Sequence, residues 1–546
     1  TPGKGNLADF ALDVGAFALQ YFADYYEIPY PGDKLDMIAV PDFAAGAMEN
    51  LGAVTYRETA LLVDRERATR GELARVADVI AHELAHMWFG DLVTMKWWNG
   101  IWLNEAFATF MELKCVDAFR PDWSRWLSYA HFRAQSMDVD GLEATRPVEY
   151  PVASPSDAEA MFDTLTYGKG SAVLRMLEQY LGEETFRRGI VAYLKKHAYS
   201  NTDTDDLWAA LEAESGEPVG EIMSGWIYQG GYPQLDVSGV PGGYEISQRH
   251  FRFLGEGKQE WQVPALYRTS EQKGRIVIGQ SEFVRADGEF LLVNDGGDGF
   301  YRVNYPDELR THLAEGFSDL APAERYTLLA DTWANVLAGE TAAAGFLSLV
   351  GALGREEEPD VWGVAIGGLA ELDRVISSDD RPAMQRMVRA LVTDPIADLG
   401  WIPQPDEGDR KRRLRALMLR TAGTLGDDTG IQYAAREVFE AVQSDPASID
   451  GDVADAAVGI VAANGSVAEF QRLLELRDEA ESPQDEVRYL RAAAAVPDTA
   501  TAERLVEMVL AGKVRSQDTN WLLARLLCHR ETGPAVWNLV KENWDE

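Results

Sequence analysis

His82-Glu83-Leu84-Ala85-His86 lies in a stretch whose apolar residues, Leu73, Val76, Ala77, Ile80, Leu84 and Met87, recur at helical spacing from Gly71 to Trp88. An i, i+4 spacing sets both imidazoles on one helical face, where they can share one metal ion. Glu83 stands beside that face, placed to take a proton from an attacking water. After a gap of eighteen residues comes Glu105, inside a second helical pattern from Trp102 to Phe119. Two histidines and a glutamate from a second helix make a three-donor set with a fourth position open, the arrangement of a catalytic zinc site with one ion per chain. The chain must then fold so that the second helix meets the first. The alternative, core histidines with ordinary partners and a surface glutamate, fits poorly. Trp97, Trp98 and Trp102 flank Glu105, and a carboxylate buried among them needs a cation.

Glu112 follows Glu105 by seven residues, about two turns, and shares its face. It is either a carboxylate that accepts the free N–H of a ligand histidine or an ordinary exposed helix glutamate.

The chain has 546 residues, enough for several domains, and its 46% hydrophobic content excludes global disorder. Residues 1–231 read as mixed strand and helix, with a short buried strand over Asp36–Pro41 and helices over 170–181 and 205–214, the last capped by Thr204. The texture changes at Gly230-Gly231-Tyr232-Pro233. Residues 232–307 carry short alternating runs: 234–237, 243–247, 261–267, 275–278, Glu289–Val293 and 300–303. Gly, Asp and Asn turns part them, as in a small β-sandwich. Residues 308–546 are helical throughout, with breaks near 357–360, 379–381, 403–408, 426–430 and 445–450. Their spacing suggests a HEAT- or armadillo-like solenoid that looks cut short at Glu546. The fold class expected is multidomain α+β.

The formal charge of −38 argues against nucleic-acid partners and anionic membrane surfaces. There are 12 lysines against 39 arginines, an acid-rich, lysine-poor balance that fits a GC-rich or salt-tolerant source. Cys115 and Cys528 are too few for a disulfide framework, so a reducing, cytoplasmic setting is expected. No segment reaches the length of a membrane span, and the N-terminus carries no signal-peptide pattern. His131, His197, His250, His312 and His529 lack metal-like spacing and read as structural or surface groups; Cys115 reads as core packing.

Further motifs add to the zinc pattern. Gly46-Ala47-Met48-Glu49-Asn50 lies upstream, its Glu49 34 positions before Glu83, flanked by Ile38–Phe43 and Thr55–Glu58. Tyr167-Gly168-Lys169-Gly170 lies downstream. Alone, the first is as readily a turn and the second a core aromatic. Together with the stretch from His82 to Ala108, they make the chain resemble the aminopeptidase N family of zinc gluzincins, and a bacterial, actinobacterial-like member in particular. The resemblance is strong over 1–231 and weaker beyond. It implies a thermolysin-like catalytic domain and hydrolysis of the N-terminal peptide bond of peptides by a monomer. It also implies site roles. His82, His86 and Glu105 would hold zinc, and Glu83 would move the proton. Tyr167 would donate to the oxyanion. Gly46, Ala47, Met48, Glu49 and Asn50 would bind substrate, with Glu49 reading the protonated amine.

Two departures from the family pattern stand out. Ala106 replaces a glycine that often follows the ligand glutamate. A β-rich domain that members carry at the N-terminal side, with a further acidic contact to the amine, would precede residue 1. Ala44 and Ala45 suggest an unobstructed pocket and broad specificity. The competing readings are a thermolysin-type endopeptidase, disfavoured by Gly46–Asn50, and a scaffold or catalytically impaired fragment retaining the fold, disfavoured by the complete donor set.

Overall fold

The computed structural model describes residues 3–286 and 290–544. Helix α1 (Asp9–Tyr26) leads into a three-stranded sheet of β1 (Asp36–Val40), β2 (Ala47–Met48) and β3 (Ala53–Arg57). β3 is central, parallel to β1 and antiparallel to β2. The strand expected at Asp36–Pro41 is present but not buried: β1 has a neighbour on one side only, and Ile38 stays 43% exposed.

Helix α2 (Arg70–Ala85) starts at a reciprocal cap. The Glu72 amide donates to Thr69 Oγ1 at 3.0 Å, and the Thr69 amide donates to Glu72 Oε2 at 2.7 Å. Its stripe of Val76, Ala77, Ile80 and Leu84 is fully buried. The helix ends three residues before Trp88, because the chain turns back through Gly90, whose φ of +136° favours glycine. Helix α3 (Trp102–Phe119) packs across α2, and α4 (Arg125–Asp140) packs on α3. The helix expected at 205–214 spans Thr204–Ser215. Its cap is Asp203, not Thr204, since the Asp203 and Asp206 carboxylates exchange bonds with each other's amides. The Thr204 hydroxyl instead donates to Glu149 at 2.6 Å.

From Pro233 the chain builds two small sheets. Strands Ser281–Arg285, Gly243–His250, Pro233–Val240 and Arg302–Asn304 form one, in that order, with the last pair parallel. Leu291–Val293, Val263–Thr269 and Lys273–Ile278 form the other, antiparallel. Ser281–Arg285 has no counterpart among the sequence-based runs, since only Val284 of its five side chains is buried. Of the run expected at Glu289–Val293, Glu289 lies outside the described residues.

Helices then follow from Asp307–Glu315 to Gly533–Glu542. Those at Pro359–Val375, Arg381–Leu399, Asp409–Gly423, Thr429–Ser444 and Gly451–Ala463 begin at or just after the five expected breaks. This helical region grips the start of α2. The Arg70 amide donates to Asp452 at 3.2 Å, Arg67 pairs with Asp485 at 2.7 Å, and Arg488 reaches the capping carboxylate of Glu72 at 3.2 Å. No described helix is long and apolar enough to cross a membrane.

His250, in the first β sheet, is packed so closely that a Cβ on Gly231 or Gly257 would fall 2.3 or 2.1 Å from its ring. Among the described residues neither ring nitrogen makes a well-aligned hydrogen bond, and the Gln259 side chain opposes the effect of burial only in part. Burial, with Arg252 adding to it, pushes the imidazole down to about 4. The unfolded chain therefore binds a proton here at a higher pH than the folded one, and stability is lost as pH falls from about 6.5 towards 4. We expect Tm to drop over that window and His250→Gln to flatten the drop. Thermal melts at stepped pH check this; an unchanged profile in the variant would refute it.

Candidate functional site

The crossing of α2 and α3 brings together the three donors expected from the sequence. His82 and His86 leave the last turn of α2 and its end, with their Nε2 atoms 3.1 Å apart. Glu105 stands in the first turn of α3, where free backbone N–H groups favour an anion. Its Oε2 lies 3.3 Å from His82 Nε2 and 3.4 Å from His86 Nε2. All three side chains are buried, and one ligand atom from each lies within 4.8 Å of the others.

The other ring nitrogens are already engaged. His82 Nδ1 donates to Glu112 Oε2 at 2.8 Å, and His86 Nδ1 donates to the Phe89 carbonyl at 2.9 Å. With each Nδ1 engaged as a donor, Nε2 is the ring atom that each histidine turns to the same point. This settles the position of Glu112: its side chain is 13% exposed and bonded to His82, not a surface glutamate. Two imidazole nitrogens and a carboxylate oxygen converging in a buried pocket fit a zinc ion in donor type and number. Second partners on both rings fit it as well.

Glu83 lies beside this group with Oε2 buried and unpartnered. Burial pushes its carboxyl up to about 7; His82 and His86 pull the other way, while Glu49 and Glu105 add to the rise. For Glu105 burial also opposes ionisation, but the two imidazoles outweigh it and hold the carboxyl far below its ordinary value.

Ala47 and Met48 of the upstream motif form β2, the outer strand of its sheet. Gly46 accepts from the Arg57 amide at 3.0 Å, and Asn50 opens the turn to β3, its carbonyl accepting from Ala53 at 2.8 Å. The segment is thus both edge strand and turn. Glu49 is half-buried, and its charge acts on Glu83, His86, Asp91 and Tyr167.

Tyr167 sits in a single π-helical turn, Leu165–Lys169, a form concentrated at functional sites. Its ring is 6.0 Å from the His82 ring, and burial followed by Glu105 raises its phenol far above the ordinary value. Two glycines allow the approach. A Cβ on Gly168 would fall 1.9 Å from Ser136 Oγ, and one on Gly170 would fall 2.6 Å from the Ala106 methyl. Ala106, the departure noted above, is accommodated by this glycine.

The sequence reading passed over three groups. Arg57 donates to the Ala45 and Ala44 carbonyls at 3.1 and 2.6 Å and so holds the segment before β2. Its only signal is an arginine closing the partner strand. The Phe89 carbonyl has no side-chain signature at all. Asp91, pushed up to about 7 by burial and then by Glu49, keeps one buried oxygen unpartnered. Cys115 is buried and unpaired, as its expected packing role requires.

Comparison with known proteins agrees with this geometry. Residues 10–226 match the model of the peptidase family M1 domain, and residues 290–546 match that of the ERAP1-like C-terminal domain. Aminopeptidase M1 of Arabidopsis thaliana is 34% identical over the whole chain, which spans 65% of that relative. The puromycin-sensitive aminopeptidase of Caenorhabditis elegans is 35% identical over 95% of the chain and 57% of its own length. The alanine/arginine aminopeptidase of Saccharomyces cerevisiae is 33% identical over the whole chain and 65% of its own length. The chain thus spans less than two-thirds of each.

The Gly170–Ala106 contact is testable. Gly170→Ala should lower stability by about 1–3 kcal/mol through overpacking. Adding Ala106→Gly should restore most of the loss. Urea denaturation of the three variants decides, and no recovery in the double variant would refute the contact.

Proposed function

We propose that the chain, whose residues 10–226 match the peptidase family M1 domain, is a zinc aminopeptidase releasing N-terminal residues from peptides. The observation that carries the reading is the placement of Glu49. It directly follows the edge strand β2 and acts electrostatically on Glu83 and on His86 of the donor set. An edge strand pairs with an extended peptide backbone, and a carboxylate at its end binds a protonated amine by charge-assisted hydrogen bonds.

His82, His86 and Glu105 would hold the zinc, with Glu112 fixing the tautomer of His82. Zinc bound there supplies Lewis acidity to a peptide carbonyl and makes water a competent nucleophile at neutral pH. Glu83 takes the proton from the attacking water and passes it to the leaving amine. Its unpartnered oxygen leaves it free to do both. Tyr167, beside His82 and Glu105, would donate its O–H to the oxyanion. Gly46 and Ala47 align the peptide backbone, Met48 and Asn50 frame Glu49, and the small, exposed Ala44 and Ala45 support broad side-chain specificity.

The proposed division is a thermolysin-like catalytic unit at 1–231, a β-sandwich at 232–307 and a helical solenoid at 308–546. A monomer acting on peptides in the cytoplasm, without nucleic-acid or membrane partners, is the setting that the acidic composition and paired-free cysteines support. The lysine-poor composition supports a GC-rich or salt-tolerant source.

Glu83→Gln should cut turnover of an aminoacyl-amide by roughly 100-fold or more while zinc stays near one per chain. Full activity in that variant would refute the proton-transfer role. Glu112→Ala should weaken zinc binding about 10–100-fold, read by competition with a chelator. Cleavage of N-acetylated peptides at internal bonds would replace the aminopeptidase reading with an endopeptidase one, and absence of stoichiometric zinc would favour the scaffold.

A further inference from the structure

Behind Tyr167 the fold buries a second charged group that the proposed chemistry does not use. Lys169 and Asp140 form an ion pair at 2.9 Å, and both side chains are 0% exposed. The Lys169 ammonium spends its remaining donors on the Gly231 and Gln229 carbonyls at 2.8 and 3.2 Å. Asp140, the last residue of α4, accepts from the Gly231 amide at 2.8 Å and from the Thr145 hydroxyl. The pair therefore joins three pieces of backbone: the π-helical turn, the end of α4 and the Gln229–Gly231 bend.

A buried ion pair is a poor device for stability, because desolvating two charges costs about as much as their attraction returns. What such a pair does well is fix direction. Lys169 and Tyr167 are two residues apart in one helical turn, so they point to different sides of it. Lys169 pulls the turn towards Asp140 and the bend while Tyr167 faces His82 and Glu105. The other end of the turn is tied too. Asp163 accepts from the Leu165 and Thr166 amides at 2.9 and 3.1 Å and is itself held by Arg146 at 3.1 Å. A five-residue turn pinned at both ends has little freedom to slide or rewind, and a π turn would otherwise relax to the α form.

We propose that the Lys169–Asp140 pair is a positioning device that aims the Tyr167 hydroxyl at the oxyanion, with Lys169 and Asp140 as positioning residues for the reaction. This rests on the reading of Tyr167 as the oxyanion donor. Lys169 touches no reacting atom, so its loss should act on the transition state through Tyr167 alone. An error of about 1 Å in such a group costs on the order of 100-fold in rate.

The test uses zinc-loaded chain and an aminoalkyl phosphinic dipeptide, whose tetrahedral phosphinate mimics the intermediate. Lys169→Met keeps the aliphatic stem, and the paired Lys169→Met/Asp140→Leu variant avoids stranding a buried charge should the single variant fold poorly. The expected result for either is a roughly 10–100-fold lower kcat with KM within about twofold, and phosphinate affinity reduced by a similar factor. In a Tyr167→Phe background the same substitutions should reduce phosphinate affinity no further, whereas a general loss of fold would reduce it in both backgrounds. Equal losses in both backgrounds, or affinity unchanged from the parent chain, would overturn the positioning role while leaving Tyr167 in place. If Tyr167→Phe alone leaves phosphinate affinity unchanged, the oxyanion reading falls and the positioning role with it.

Discussion

Two imidazole nitrogens 3.1 Å apart, each 3.3–3.4 Å from one carboxylate oxygen, are the contact at which α2 and α3 cross. Three lone-pair donors in a buried pocket repel one another unless a cation lies between them. The fold concentrates further negative charge around them in Glu49, Glu83 and Glu112. Among the described residues no lysine or arginine pairs with Glu83, whose buried Oε2 stays unpartnered. A metal ion at the donors and an ammonium group at Glu49, the two cations of the proposed function, would each meet part of that charge. That shared electrostatic demand links the metal and substrate roles proposed here.

Holding the donors in register is mostly the work of α2 and α3, and this part was legible in the sequence. The stripe from Leu73 to Leu84 has one period and one buried face, and Thr69 with Glu72 marks where the helix starts. Glu105 could be placed as a third donor from its spacing on a second helical pattern, although Trp97 and Trp98, its neighbours in sequence, are exposed and do not enclose it. What stayed illegible is what backbone groups do. The Phe89 carbonyl that orients His86 exists only because the chain turns at Gly90. The Arg57 clamp on Ala44 and Ala45 depends on β3 lying beside β2, a tertiary fact. Thr204 lost the cap to Asp203 for the same kind of reason: Glu149, 55 positions away in sequence, takes its hydroxyl. The exposed face of β1 follows from its being an outer strand, which no local pattern encodes.

The two glycines of Tyr167-Gly168-Lys169-Gly170 have a packing role that the sequence pattern does not contain. As a motif it marks a resemblance. In the fold each glycine is a missing side chain, one against Ser136 and one against Ala106, which lets the π turn lie flat on α3 and α4. The Ala106 departure then matters little, since its methyl packs into space that Gly170 leaves.

The basic residues sort by task in a way that explains the imbalance of 12 lysines and 39 arginines. Where the helical region meets α2 and its neighbours, the cations are Arg67, Arg70, Arg410, Arg413 and Arg488, facing Asp360, Asp450, Asp452 and Asp485. A planar guanidinium suits such contacts because it meets carboxylates along a fork and tolerates partial burial. The site behind Tyr167 needs something else. Its acceptors are one carboxylate and two carbonyls on separate pieces of backbone, arranged around a point. A compact ammonium with three donors satisfies that arrangement. A lysine kept fully buried in an arginine-rich chain is thus a statement about geometry: the position demands a point charge at the end of a straight stem, and the turn that carries Tyr167 is built around it.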